Sequence, residues 1–197
     1  MRPSFDVTSG FAPLAACTAL VVCTGLAAIG CAPAAPTAPI PPDPSVCGMG
    51  APLAAPISGC MPTVMTTTGD PHEDCVRRIN QFRCQCQHLP PLARWRDGES
   101  CADQMARYDH DHMGMAHAGF RAGICEGGNG QNECPGWPSI GNTVTTCLQQ
   151  MWDEGPGDFY GPPPHGHYIN MSNTRFSMVA CGFYDGAGGV YAVQNFQ

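Results

Sequence analysis

Thirteen cysteines constrain this chain of 197 residues more than any other feature. Cys17, Cys23 and Cys31 lie in or at the end of an apolar run over residues 11–30. The other ten are Cys47, Cys60, Cys75, Cys84, Cys86, Cys101, Cys125, Cys134, Cys147 and Cys181. An even set, scattered through loops and helices, reads as a disulfide framework formed in an oxidising compartment. Zinc is the competing use of cysteine, but the spacing lacks paired C-x-x-C knuckles. Local bridges, Cys47–Cys60 and Cys125–Cys134, are the pairings that proximity in sequence suggests.

Residues 1–30 carry the marks of an export signal: Arg2 at the start and then the apolar run. Ala27-Ala28-Ile29-Gly30-Cys31 resembles the lipobox of bacterial lipoproteins, with Cys31 the lipidated residue. Leu14-Ala15-Ala16-Cys17 matches that pattern better letter by letter, but comes too early and would leave a second apolar run inside the mature chain. An uncleaved anchor is the alternative, since about 20 apolar residues span a bilayer. Residues 31–69 hold nine prolines, which exclude helix and central strand, so the stretch reads as an extended tether. About 130 residues remain for a folded domain, residues 70–197, enough to bury a core. A net charge of −7 with nine basic residues, all arginine, speaks against a nucleic-acid surface.

Within the domain, Asp70-Pro71 with Glu73 is a helix start. Cys75, Val76, Ile79 and Phe82 follow at helical spacing, and Leu89-Pro90-Pro91-Leu92 breaks the chain. A second helix is predicted from Gly98 to Asp111, with Cys101, Ala102, Met105 and Tyr108 facing inward. A third carries Val144, Cys147, Leu148, Met151 and Trp152 on one face and ends at Gly155-Pro156-Gly157. Residues 119–141 between them read as a glycine-rich loop. The chain closes with two β-rich runs around Asp185-Gly186-Ala187-Gly188-Gly189, an antiparallel hairpin. Gly166-His167-Tyr168 ahead of it reads as a sheet edge offering a histidine to a cleft. Helices first and antiparallel strands last is an α+β pattern.

These motifs, in this order, resemble the CAP superfamily, or SCP domain, which includes cysteine-rich secretory proteins, antigen 5 and plant pathogenesis-related proteins. Asn80-Gln81-Phe82-Arg83 and Leu89-Pro90-Pro91-Leu92 resemble the family's opening helix and its exit. Gly130-Gln131-Asn132 resembles its G-E-N turn, Gly166-His167-Tyr168 its G-H-Y signature, and Val179-Ala180-Cys181-Gly182 the strand that follows. The resemblance implies a disulfide-rich, three-layer α-β-α sandwich around a three-stranded antiparallel core. It also implies a cleft of two histidines and two acids. Carried over, these are His117, His167 and Glu154, with Gln131 standing where the family has its second acid. Glu133, two residues on, is the alternative acid.

Two histidines with carboxylates can bind a divalent metal such as zinc, and a bound metal would make a hydrolase possible. Replacing one acid by the amide of Gln131 weakens that chemistry. No nucleophile elbow and no H-E-x-x-H occurs. The expected function is a non-enzymatic binding module, exported and lipid-anchored at a bacterial envelope. The resemblance implies a lipid, sterol, peptide or envelope protein as partner. The alternatives are a metal-dependent peptidase or esterase and a purely structural domain. Asp109-His110-Asp111-His112 reads as a solvated helix end, because adjacent helical residues cannot all face one ion.

Overall fold

The computed structural model describes Cys47 and residues 50–197. The proposed signal, lipidation at Cys31 and the first part of the tether lie outside the described residues.

Helix α1, Pro71–Gln81, starts as its sequence dictates: the Asp70 carboxylate accepts from the His72 and Glu73 amides. It runs on through a π-helical turn, Phe82–Cys86. Helix α2, Arg96–Asp111, begins two residues ahead of the predicted Gly98. Between them, β1 is the pair Ala93–Arg94. The buried Arg94 guanidinium ties both helix starts together, bonding Asp70 at 2.7 Å, Glu73 at 3.0 Å and Glu99 at 2.5 Å.

Residues 119–141 are not the loop the sequence suggests. They contain most of a short helix, α3, Ala118–Ala122, and a full strand, β2, Gly130–Trp137. The strand escapes a hydrophobicity pattern because Gln131, Asn132 and Glu133 are polar yet buried, each bonded to a specific partner. Helix α4 is continuous from Ile140–Asn142 through a π-helical stretch, Thr143–Cys147, to Leu148–Asp153. Then follow α5, Gly166–Ser172, and the hairpin strands β3, Met178–Gly186, and β4, Gly189–Phe196. His167 therefore sits on a helix and not on a sheet edge.

The sheet order is β1-β3-β4-β2. β3, β4 and β2 form the antiparallel core, and β1 adds a fourth, parallel edge to β3. Helix α2 covers one face, where Cys101, Ala102, Met105 and Ala106 meet Ala180 and Val193. Helices α1, α4 and α5 cover the other, where Ile79, Phe82, Leu148, Trp152 and Met171 meet Val179, Ala192 and Phe196. The alternation of Val179, Ala180 and Cys181 between the two faces is the period-two rule of a strand. Gly182 lets α2 lie against β3: a Cβ there would come within 2.1 Å of the Ala102 backbone carbon.

All ten cysteines from Cys47 onward are paired: Cys47–Cys84, Cys60–Cys86, Cys75–Cys181, Cys101–Cys125 and Cys134–Cys147. Both local pairings drawn from sequence proximity are overturned. Cys134 lies on β2 with its side chain toward α4, where Cys147 waits, while Cys125 follows α3 and meets the first turns of α2. Cys47 and Cys60 reach instead to the end of α1. Residues 50–69 form no helix or strand but lie along the domain as a strap. Leu53 and Ile57 amides donate to Gln87 and Cys86 carbonyls at 3.0 and 2.8 Å. Arg78 and Gln81 hold the Pro62 and Thr63 carbonyls, and Asp74 accepts from Thr67 and Thr68.

Candidate functional site

The sequence motifs shape the floor of one cleft. Asn80 exchanges two hydrogen bonds with the Leu92 backbone, at 2.9 and 2.7 Å, which fixes the L-P-P-L exit. Arg83, fully buried, donates to Pro90 O and to Met171 O and Asn173 O at the end of α5. With no carboxylate partner, burial lowers its pKa to about 10. Asn132 donates to His167 O and accepts from Asn170. The opening helix, the G-Q-N strand and the G-H-Y helix are thus hydrogen-bonded to one another around α5.

His167 opens α5, and Glu154 at the end of α4 secures it. One carboxylate oxygen accepts from the His167 ring Nδ1 at 2.5 Å; the other accepts from the His167 and Tyr168 amides at 3.0 and 3.3 Å. His117 precedes α3 in a left-handed conformation, φ 59°. Its Nδ1 lies 2.8 Å from Gln131 Oε1. Gln131 Nε2 already donates to Asn195 Oδ1 at 2.9 Å and Met105 Sδ at 3.2 Å, so Oε1 is the acceptor and His117 Nδ1 the donor. Both histidines therefore carry their proton on Nδ1, and among the described residues no hydrogen bond engages either Nε2. The two rings line the same cleft of about 170 Å³, together with Gln131, Gly166, Asn170 and the loop residues Phe159 and Pro164.

Glu133 points inward, but not at the imidazole. Its Oε2 accepts from the His117 backbone amide at 2.6 Å and stays 3.9 Å from the ring. Behind it stands Asp109, which the sequence reading placed on a solvated helix end. Asp109 is fully buried and accepts from the Gly119 amide at 2.6 Å. Two carboxyls thus hold the first turn of α3 and the left-handed His117. Their remaining oxygens, Asp109 Oδ2 and Glu133 Oε1, are buried with no hydrogen-bond partner, so two charges here would go uncompensated and the pair favours holding a proton. Burial, and then the Asp109 charge, push the Glu133 pKa up to about 8; burial raises Asp109 as well. Spacing did hold a signal for Asp109: it continues the buried row Cys101, Met105 at intervals of four.

Among the described residues no three His, Cys, Asp or Glu side chains converge as metal ligands. A hydrolytic zinc centre takes three protein ligands and a water, and the cleft offers two imidazoles with both of their supports already engaged. A larger, mainly apolar cavity of about 280 Å³ lies between the strap, α1 and α4, bordered by Val64, Met65, Arg78, Ile140 and Val144, and shares no residue with the cleft. No helix among the described residues is long and apolar enough to cross a membrane.

Neither curated proteins nor solved structures yield a match to this chain. The family model described as the cysteine-rich secretory protein family, CAP, matches residues 76–196, which runs from the middle of α1 to the end of β4 and takes in every cleft residue named above. The chain belongs to the cysteine-rich secretory protein family.

Proposed function

We propose that this chain is an exported binding module whose cleft, between His117 and His167, receives one side chain or terminal group of a peptide or envelope protein. The observation that carries this reading is the pair of free Nε2 atoms on one small cavity. A neutral imidazole with its proton on Nδ1 is an acceptor at Nε2, so the two rings together suit a hydroxyl, amine or amide donor. A cavity of about 170 Å³ is smaller than the roughly 300–1,000 Å³ of small-molecule pockets, which favours a single group of a larger partner. Binding is favoured over hydrolysis because no carboxylate among the described residues lines the cleft free to act as a base. Glu154 is occupied at both oxygens, and Gln131 is an amide. Export is supported by the five disulfides and by the apolar run ahead of Cys31, where lipidation would anchor the chain.

Selection of displayed random peptides on the immobilised chain tests the cleft. Peptides that bind the native protein and lose binding to His117→Ala and His167→Ala support it; enrichment indifferent to both substitutions rejects it. Hydrolysis of peptide or ester substrates abolished by His167→Ala would replace it with the enzymatic reading.

A second reading keeps the same rings as ligands of a divalent metal such as zinc. It is favoured by the Glu154–His167 pair, since a carboxylate on the far ring nitrogen is the usual support of a metal-bound histidine. Metal analysis of the purified chain, with zinc titration of His167→Ala, decides it. Zinc neither retained nor taken up removes this reading.

A further inference from the structure

Residues 110–117 read His-Asp-His-Met-Gly-Met-Ala-His, and the cleft uses only the last of them. The chain leaves α2 at Asp111 and turns back at once. Gly114 N donates to Asp109 O at 3.0 Å and Met115 N to His112 O at 3.3 Å. The second bond makes residues 112–115 a β-turn, whose ends lie within about 7 Å of each other. Met113 and Gly114 are both left-handed, φ 62° and 67°. The base of the turn is pressed on β4: a Cβ at Gly114 would sit 2.6 Å from the Tyr191 hydroxyl. Its two methionines are left outside. Met113 is 94% exposed and Met115 54%, and neither joins an apolar cluster.

His112 is held ready beside them. Its ring stacks on Tyr108, centroids 3.7 Å apart at 13°, and its Nδ1 donates to Tyr108 O at 2.8 Å. That bond leaves the Nε2 lone pair facing outward, the arrangement in which a backbone carbonyl fixes a ligating histidine. His110, in contrast, is engaged at both nitrogens, by Asp111 and by Ala187 O.

We propose that His112 Nε2 and the thioethers of Met113 and Met115 form a site for a soft monovalent cation, Cu(I), with Ag(I) as its redox-inert equivalent. Thioether sulfur is a soft donor that selects Cu(I) over zinc, calcium and magnesium, and imidazole adds a compatible nitrogen. The three donors fall within four residues of one pinned turn. Their exposure has no packing role to explain it. The site shares no residue with the His117–His167 cleft and stands or falls apart from it.

The test is anaerobic competition of the full-length, disulfide-bonded chain, with its remaining thiols alkylated so that no thiolate competes for the metal, against a chromophoric Cu(I) chelator. The native chain withholds about one equivalent of Cu(I), and Met113→Leu/Met115→Leu weakens binding by at least about tenfold. Because both side chains are exposed, the double variant keeps the native melting temperature, which separates loss of ligands from loss of fold. His112→Asn weakens binding as well, and Ag(I) displaces the copper where equimolar Zn(II) does not. Failure to withhold Cu(I), equal affinity in the double variant, or displacement by Zn(II) overturns the proposal.

Discussion

One carboxylate of Glu154 bonds His167 at the ring and at the backbone, Nδ1 at 2.5 Å and the amide at 3.0 Å, and reaches the Tyr168 amide as well. The same side chain therefore starts helix α5 and selects the tautomer of the imidazole that the helix presents.

Glutamine at this position has one acceptor oxygen for three N–H groups. If that oxygen stays with the two backbone amides, the new NH₂ faces Nδ1 and forces the proton to Nε2. Glu154→Gln is expected to invert the His167 tautomer, read from imidazole ¹⁵N shifts. It should cost about 1 kcal/mol of stability and weaken the cleft as much as His167→Ala. A ring that keeps Nδ1–H in the variant would contradict this account.

Gln131→Glu restores the family's acid but removes a donor. Asn195 Oδ1, fully buried, would lose the Gln131 bond of 2.9 Å. The expected loss is about 1–3 kcal/mol, seen in denaturant unfolding. Unchanged stability would mean that the Asn195 amide is satisfied by another route.

The buried carboxyl pair of Asp109 and Glu133 makes stability depend on pH. Glu133 titrates near its ordinary value when unfolded and at about 8 when folded. Between those values only the folded state holds the proton, so its contribution is complete at acid pH and declines as pH rises toward 8. His72 acts in the same direction: its hydrogen bond to Asp103 at 3.1 Å raises its pKa, and that support fades as pH rises through the raised value. Melting temperatures from pH 5 to 9 should fall more gently for Glu133→Gln than for the native chain. Parallel curves would locate the proton elsewhere.

Gly182→Ala places a methyl against the Ala102 and Asp103 backbone, atoms of a helix interior that cannot rotate away. A loss of about 3 kcal/mol or more is expected, at or beyond the upper end for overpacking. Thermal unfolding measures it; a neutral variant would show that α2 can lift from β3 without cost.

Much of the layering was legible. Apolar spacing located α1, α2 and α4, and the glycine turn located the closing hairpin, because those elements bury nonpolar side chains on one face. β2 was not legible, since its inward side chains are Gln131, Asn132 and Glu133, and their burial depends on partners in α2, α5 and β4 far away in the chain. Gly166-His167-Tyr168-Ile169 has no helical stripe and so reads as a sheet edge; α5 is started by a distant carboxylate and not by its own sequence. Disulfide partners were hidden for the same reason: Cys75 and Cys181 are 106 residues apart. The resemblance points to His117 and His167, whose rings line one cavity, while Asp109 continues the buried row of Cys101 and Met105 and yet reads, from its charged neighbours, as a surface residue.

The strap has a mechanical consequence. Cys47 and Cys60 are bridged to Cys84 and Cys86, which stand two residues apart at the end of α1. Residues 47–60 and that short piece of helix thus close a covalent ring, which tension on the preceding chain cannot peel open. A pull from a surface to which the leading segment was attached would enter the fold at Cys84, within one helix, and would not have to unzip the sheet that carries β2 and Gln131.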